Sequence, residues 1–230
     1  MKLAVFDIDG TLTLGDGLGT RCYFAAFDEV FGEGIADRRL DTYVESTDCG
    51  IAREAARRAL GREPRAGELD RFKSAYFEKL GLAIAARERA YRPVPGAERF
   101  LPLLAAAPGW TVAIATGNWR RAAALKLDCA GIGMPPVAAC SEDGDSRAGV
   151  LAAAVAGAAR ATRGEGFEGI VYVGDQPWDL RAAREVGAAF VGIGSGSGAR
   201  RLEDDGVTVV PGYLEADRLL ATLERVLAPR

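Results

Sequence analysis

Three short stretches of this chain put carboxylates, a hydroxyl and glycines where apolar runs stop. The first is Phe6-Asp7-Ile8-Asp9-Gly10-Thr11-Leu12, which follows the apolar residues Leu3 to Phe6. Two carboxylates separated by one residue and leaving a buried segment are opposed in their ionisation by desolvation and by each other. They stay charged only beside a compensating cation. A turn braced by aspartate side chains, with Gly10 at the bend, is the plainer alternative. The second stretch is Ile114-Ala115-Thr116-Gly117-Asn118. A hydroxyl, successive backbone N–H groups and a helix N-terminus make an anion cradle, although an N-cap with a glycine turn has the same appearance. The third is Val173-Gly174-Asp175-Gln176-Pro177-Trp178-Asp179. Oxygen ligands from separate loops suit Mg²⁺, which keeps several waters and needs only one or two carboxylates plus phosphate. A capping aspartate is again the simpler reading.

The surrounding pattern says how these stretches are positioned. Strand-like apolar runs recur at Lys2–Phe6, Trp110–Thr116, Pro136–Ala139, Gly169–Val173, Ala188–Ile193 and Val207–Val210. Helical patterns lie between them at Trp119–Ala130, Arg147–Arg163, Trp178–Val186, Ala199–Asp204 and Leu214–Leu227. Strands alternating with helices predict an α/β fold with a Rossmann-like parallel sheet. Such sheets bind ligands beyond the carboxyl ends of their strands, the edge to which all three stretches project. Residues between Leu14 and Pro95 differ. Tyr23, Phe27, Val30 and Phe31, then Ala52, Ala55, Ala56, Ala59 and Leu60, then Leu69, Phe72, Tyr76 and Leu80 follow helical spacing with no strand among them. This predicts an inserted all-helical cap over 15–94, bounded by Gly15-Asp16-Gly17 and Pro93-Val94-Pro95-Gly96, and a core over 1–14 and 95–230.

Composition narrows the chemistry. The 230 residues are 49% hydrophobic and 27% charged, enough for a real core, and the net charge of −3 gives no reason to expect nucleic acid or an anionic membrane as partner. Histidine is absent, which removes Ser-His-Asp and Cys-His catalysis and nearly all catalytic zinc sites. Acid–base work then falls to Asp, Glu, Lys, Tyr or Cys. Cys22, Cys49, Cys129 and Cys140 are scattered without a CxxC pair and read as free thiols in a reducing compartment. With no long apolar span and no signal peptide pattern, a cytoplasmic location is expected.

Asp7-x-Asp9-Gly10-Thr11, Thr116-Gly117-Asn118 and Gly174-Asp175-x-x-x-Asp179, in this order, resemble the haloacid dehalogenase superfamily. The helical insertion resembles the cap of its phosphoglycolate phosphatase-like branch. The resemblance implies a phosphatase with Asp7 as nucleophile and Asp9 as general acid, then base. It implies Mg²⁺ held by Asp7, the carbonyl of Asp9 and Asp175, with Asp179 in direct or water-mediated support. Thr116 and the amides of Gly117 and Asn118 would bind the phosphoryl oxygens of a small phosphorylated metabolite. The superfamily's usual lysine between the second and third motifs is missing. Lys126 falls too early, within the helix after Thr116, whereas Arg147 opens a helix at the expected place and keeps the charge with a bidentate fork.

Asp9 favours phosphate chemistry over dehalogenation, because a halide needs no acid and an alkoxide does. A phosphomutase of the same superfamily and a non-catalytic binding protein retaining the fold remain as alternatives. A phosphonate hydrolase would need a cap lysine, and Lys73 and Lys79 have no special context. In the cap, Thr47, Asp48 and Arg53 are candidates for reading the leaving group, with an N-cap by Thr47 or Asp48 equally compatible. Gly194-Ser195-Gly196-Ser197-Gly198-Ala199 matches GxGxxA but lies too late in the chain to open a dinucleotide fold, so a flexible strand–helix turn is expected. Trp119 and Trp178 read as packing residues.

Overall fold

A computed structural model describes residues 1–34, 36–87, 90–164 and 166–228. Six strands form one parallel sheet: β1 (Lys2–Phe6), β4 (Trp110–Ala115), β5 (Ala138–Ala139), β6 (Gly169–Gly174), β7 (Ala189–Ile193) and β8 (Val209–Val210). Their order is β5-β4-β1-β6-β7-β8. The chain winds outward from β1 through β4 to β5, then returns to the other side of β1 for β6. Its direction therefore switches beside β1, where open α/β sheets place their ligands. Phe6 pairs with Ile114 on one side and Val173 on the other, so the three stretches singled out above leave neighbouring strands at one level.

Alternation along β1 accounts for the sheet's double cover. Leu3 and Val5 face one hydrophobic cluster with Ala113, Ala115 and Tyr172, backed by helices α6 (Arg147–Ala161) and α7 (Pro177–Val186). Ala4 and Phe6 face a second cluster that runs on into the cap. A strand buried on both sides must be apolar throughout, and Leu3, Val5 and Phe6 each contribute roughly 1.5–3 kcal/mol.

Between β1 and β4 lie α1 (Leu18–Phe31), α2 (Asp48–Leu60) and α3 (Ala66–Ala85). An antiparallel pair, β2 (Thr13–Leu14) with β3 (Arg92–Pro93), clips the two ends of this segment together. These strands, two residues each, were not expected from the sequence. Tyr23 and Phe72 meet edge-to-face at 4.9 Å, and Trp119 from the core stacks on Tyr23 at 5.7 Å. Trp119 is thus a packing residue that carries the cap's aromatic core onto the sheet domain.

One helix was missed in the sequence. α4 (Ala97–Ala106) buries Ala97, Phe100, Leu101 and Leu104, an amphipathic stripe interrupted by Pro102. Proline inside a helix loses a backbone bond and is normally a breaker; here the buried stripe outweighs it. The remaining helices are α5 (Arg120–Cys129), α8 (Ser197–Asp204) and α9 (Ala216–Leu227). No helix among the described residues is long and apolar enough to cross a membrane.

Candidate active site

Asp7 is the first residue beyond β1, and its amide still donates to Val173 O at 3.0 Å as if the strand continued. The chain then turns sharply, with the Ile8 carbonyl accepting from the amides of Leu12 (2.8 Å) and Thr13 (2.9 Å). Gly10 sits in this turn at φ +79, and a Cβ there would collide with the Asp175 carboxylate. Only glycine allows both the conformation and the close approach of the first loop to the third. Asp7, Asp175 and Asp179 consequently offer carboxylate oxygens that all lie within 4.8 Å of one another.

Arg147, at the first turn of α6, penetrates this cluster. Its Nη2 lies 2.6 Å from Asp7 Oδ1 and 2.7 Å from Asp179 Oδ1, and Nε donates to Asp179 Oδ1 at 3.0 Å. Asp179 is fully buried, accepting also from Tyr172 Oη (3.2 Å) and the Gln176 amide (3.2 Å). The carboxylates still outnumber the guanidinium. Burial pushes Asp7 up to about 7, opposed by Arg147 and reinforced by Asp179 and Asp9. Asp175 is also held well above the carboxylate range, first by burial and then by Asp179 and Asp7. Neither Asp7 Oδ1 nor Asp175 Oδ1, both buried, receives an aligned hydrogen bond. An all-oxygen donor set with excess negative charge and unsatisfied lone pairs fits a hard divalent cation such as Mg²⁺.

Thr116 follows β4 and is buried; its Oγ1 accepts from Asn118 Nδ2 (2.8 Å) and the Asn118 amide (3.3 Å), which leaves its own proton to donate. Gly117 has no room for a side chain, because a Cβ would strike Arg147 and the Ser46 carbonyl. The anion cradle is narrower than the sequence suggested. The next two amides, at the start of α5, are already taken by carboxylates of the protein: Trp119 N donates to Asp48 Oδ2 (2.8 Å) and Arg120 N to Glu142 Oε2 (3.0 Å). A helix N-terminus attracts anions of any origin, and here it recruits one from the cap.

A cleft of about 440 Å³ opens over these groups, within the usual size of small-ligand sites. Asp7, Asp9, Asp175 and Arg147 line its core side, and Tyr23, Ile51 and Tyr76 its cap side. A family model described as haloacid dehalogenase-like hydrolase matches residues 1–187. The chain belongs to that family.

No curated protein matches this hydrolase. Among solved structures, a hydrolase from Pseudomonas syringae is 19% identical with TM-score 0.73, covering 97% of this chain and 99% of its own. CbbY from Rhodobacter sphaeroides, in complex with phosphate, is 20% identical with TM-score 0.68, covering 93% and 95%. A predicted phosphoglycolate phosphatase from Haemophilus somnus 129pt is 18% identical with TM-score 0.63, covering 95% and 97%. At these identities the likeness is one of fold.

Not every residue singled out in the sequence reaches the hydrolase's cleft. Asp7, Asp9, Gly117, Asn118, Arg147 and Asp175 line it. Thr116 and Asp179 stand directly behind, tied to Asn118 and Arg147. Thr47 is buried and caps α2, accepting from the Gly50 amide at 3.1 Å. Asp48 lines the cleft, but its Oδ2 is spent on Trp119 and its amide on Gly117 O (2.7 Å), which makes it a latch between cap and core. Burial pushes it up to about 7, with Lys126 opposing. Arg53 is exposed on the outer side of α2 and takes no place in the cleft. Lys73 and Lys79 pair with Glu142 (2.8 Å) and Glu29 (2.6 Å). Trp178 lines the cleft, where the sequence suggested packing. Most unexpected is Lys126, which the sequence placed outside the site. It lies in the cleft wall with Nζ 2.5 Å from Asp9 Oδ2.

Proposed function

We propose that this hydrolase is a Mg²⁺-dependent phosphatase that transfers the phosphoryl group of a small phosphomonoester to Asp7 and then to water. The observation that carries the reading is Asp7 itself: a buried carboxylate at the end of the central strand, paired with Arg147 and grouped with Asp175 and Asp179. Mg²⁺ would be held by Asp7, the Asp9 carbonyl and Asp175. Asp179 is already bonded to Arg147, Tyr172 and Gln176, and so acts from behind as the anchor of Arg147. When bound, the ion offsets the charge of the carboxylates and of the phosphoryl oxygens.

In the first step an Asp7 oxygen bonds to phosphorus as the bond to the leaving oxygen breaks. Asp9 gives its proton to that oxygen. Thr116 Oγ1, the Gly117 amide, the Asn118 amide once it turns from Thr116 Oγ1, and the Arg147 guanidinium surround the transferring group and take up its charge. In the second step Asp9 removes a proton from water, the water oxygen bonds to phosphorus, and Asp7 is released. We take 1–14 and 95–230 as the core that does this chemistry and 15–94 as a cap that excludes bulk water and selects the ester. The cleft suits a small leaving group, and phosphoglycolate is our first candidate.

The test is phosphate release from a panel of small phosphomonoesters with Mg²⁺, beside Asp7→Asn. Wild-type turnover that requires Mg²⁺ and is lost in the variant is expected, since an amide is a poor nucleophile. Equal turnover in both proteins would overturn the assignment. Turnover that needs a bisphosphate activator and releases little phosphate would mark a phosphomutase instead.

A further inference from the structure

Lys126 plays no part in the steps above, yet it occupies a costly place. It sits on the inward face of α5, 3% exposed, where an ammonium ion is tolerated only if partners take up its charge. Those partners are specific. Nζ donates to Asp9 Oδ2 at 2.5 Å and to Asn118 Oδ1, and it lies 5.7 Å from the Tyr91 ring centroid. Asn118 in turn divides its amide hydrogens between Asp9 Oδ2 (2.7 Å) and Thr116 Oγ1 (2.8 Å). Both donors to Asp9 therefore fall on the same oxygen. Among the described residues no donor engages Oδ1, and the Asp9 side chain, 46% exposed, lines the cleft.

We infer that Lys126 is a positioning residue for the acid–base step: with Asn118 it pins Asp9 Oδ2, which leaves Oδ1 as the oxygen that exchanges the proton. The inference rests on the phosphatase reading. A carboxylate torsion is broad and two-fold by itself, and Asp9 stands on a turn rather than within the sheet. Two donors converging on one oxygen remove that freedom, and a proton carrier held in place is worth far more than one that rotates. Lys126 also fixes Asn118, because its ammonium claims Oδ1 and so directs the amide hydrogens to Asp9 and Thr116. One buried cation thereby ties the acid–base carboxylate to Thr116, the hydroxyl assigned above to the phosphoryl group.

The test uses the dependence on leaving group. An alkyl phosphate must have its alkoxide protonated, whereas the 4-nitrophenolate of 4-nitrophenyl phosphate departs without help. Wild type, Lys126→Met and Asp9→Asn are compared by kcat/KM on both esters at saturating Mg²⁺, since kcat/KM reports the first transfer alone. Misplacing a general acid forfeits a factor of about 10²–10⁴. Lys126→Met should lose about 100-fold on the alkyl ester and tenfold or less on the aryl ester. Asp9→Asn should show the same contrast, and the double variant no further loss on the alkyl ester. Inhibition by inorganic phosphate should persist in Lys126→Met, showing an intact site. Equal losses on both esters, or none, would overturn the role. Should Lys126→Met fail to fold, a crystal structure of the wild type with phosphate decides: Oδ1 toward the leaving-group side supports the role, and Oδ2 there overturns it. Wild type inert toward both esters would overturn the phosphatase reading, and this role with it.

Discussion

The two walls of the cleft are built on different principles. The core wall is a set of charged groups placed by backbone: Asp7 and Asp175 each follow a strand of a paired sheet, with Thr116 behind them at the end of a third, and Arg147 is clamped by two carboxylates. The cap wall is made largely of helix faces, with Tyr23, Ile51 and Tyr76 presented by packing, and its carboxylate Asp48 turned back to hold the core. A rigid sheet edge can hold reacting atoms to fractions of an ångström, whereas packed helices set shape and water access. Chemistry should therefore be sensitive to single atoms on the core wall and tolerant on the cap wall.

Arg147→Ala tests the core wall most severely. It removes the donor proposed for the transferring group and leaves Asp7 and Asp179 uncompensated, so kcat should fall by about 10²–10³-fold. The fold should survive with a loss on the order of 3–5 kcal/mol, read by thermal and denaturant unfolding. Unchanged kinetics would move the cationic role elsewhere. Mg²⁺ binding tests the same wall from another side. Asp7 is pushed up to about 7 when no ion is bound, so below that pH a proton must leave before the carboxylate can serve as a ligand. Affinity measured by calorimetry should rise about fivefold between pH 6 and 7 and only about twofold more above, with protons released on binding. A flat profile would break the link.

On the cap wall the effects should be smaller. Asp48, pushed up to about 7 against an ordinary value of 3.8, holds an extra proton in the folded state between those values. Its contribution therefore lowers stability as pH rises from about 4 through 7. Asp48→Asn should flatten that part of the Tm-versus-pH curve and raise KM a few-fold through a looser latch. An identical curve would remove Asp48 from the latch. Arg53→Ala should leave kcat/KM within about twofold, as an exposed side chain outside the cleft must; a large loss would mean that the cap closes differently during turnover.

The same contrast explains what the sequence could disclose. Strand-end aspartates were legible because a carboxylate after an apolar run breaks the pattern that core strands obey. Arg147 was legible from its place at the start of α6. Lys126 was not, since it lies 117 positions from Asp9 in the chain and only the packing of α5 brings them together. A signal did exist: Lys126 shares its helix face with the buried Ala122, Ala123 and Leu127, and a lysine there demands a partner. Arg53 could have been set aside the same way, since Ile51, Ala52, Ala55 and Ala56 define the inward face of α2. Short outer strands were over-read, with β8 beginning at Val209 instead of Val207, because an apolar run does not reveal how far a neighbour is present to pair with it.

Covalent trapping reaches the central claim most directly. The wild-type protein is quenched during turnover of a phosphomonoester with Mg²⁺, treated with borohydride to reduce any acyl phosphate to an alcohol, digested and sequenced by mass spectrometry. The account predicts the reduced side chain at position 7, dependent on substrate and Mg²⁺. Reduction at another residue, or none while phosphate is being released, would contradict it.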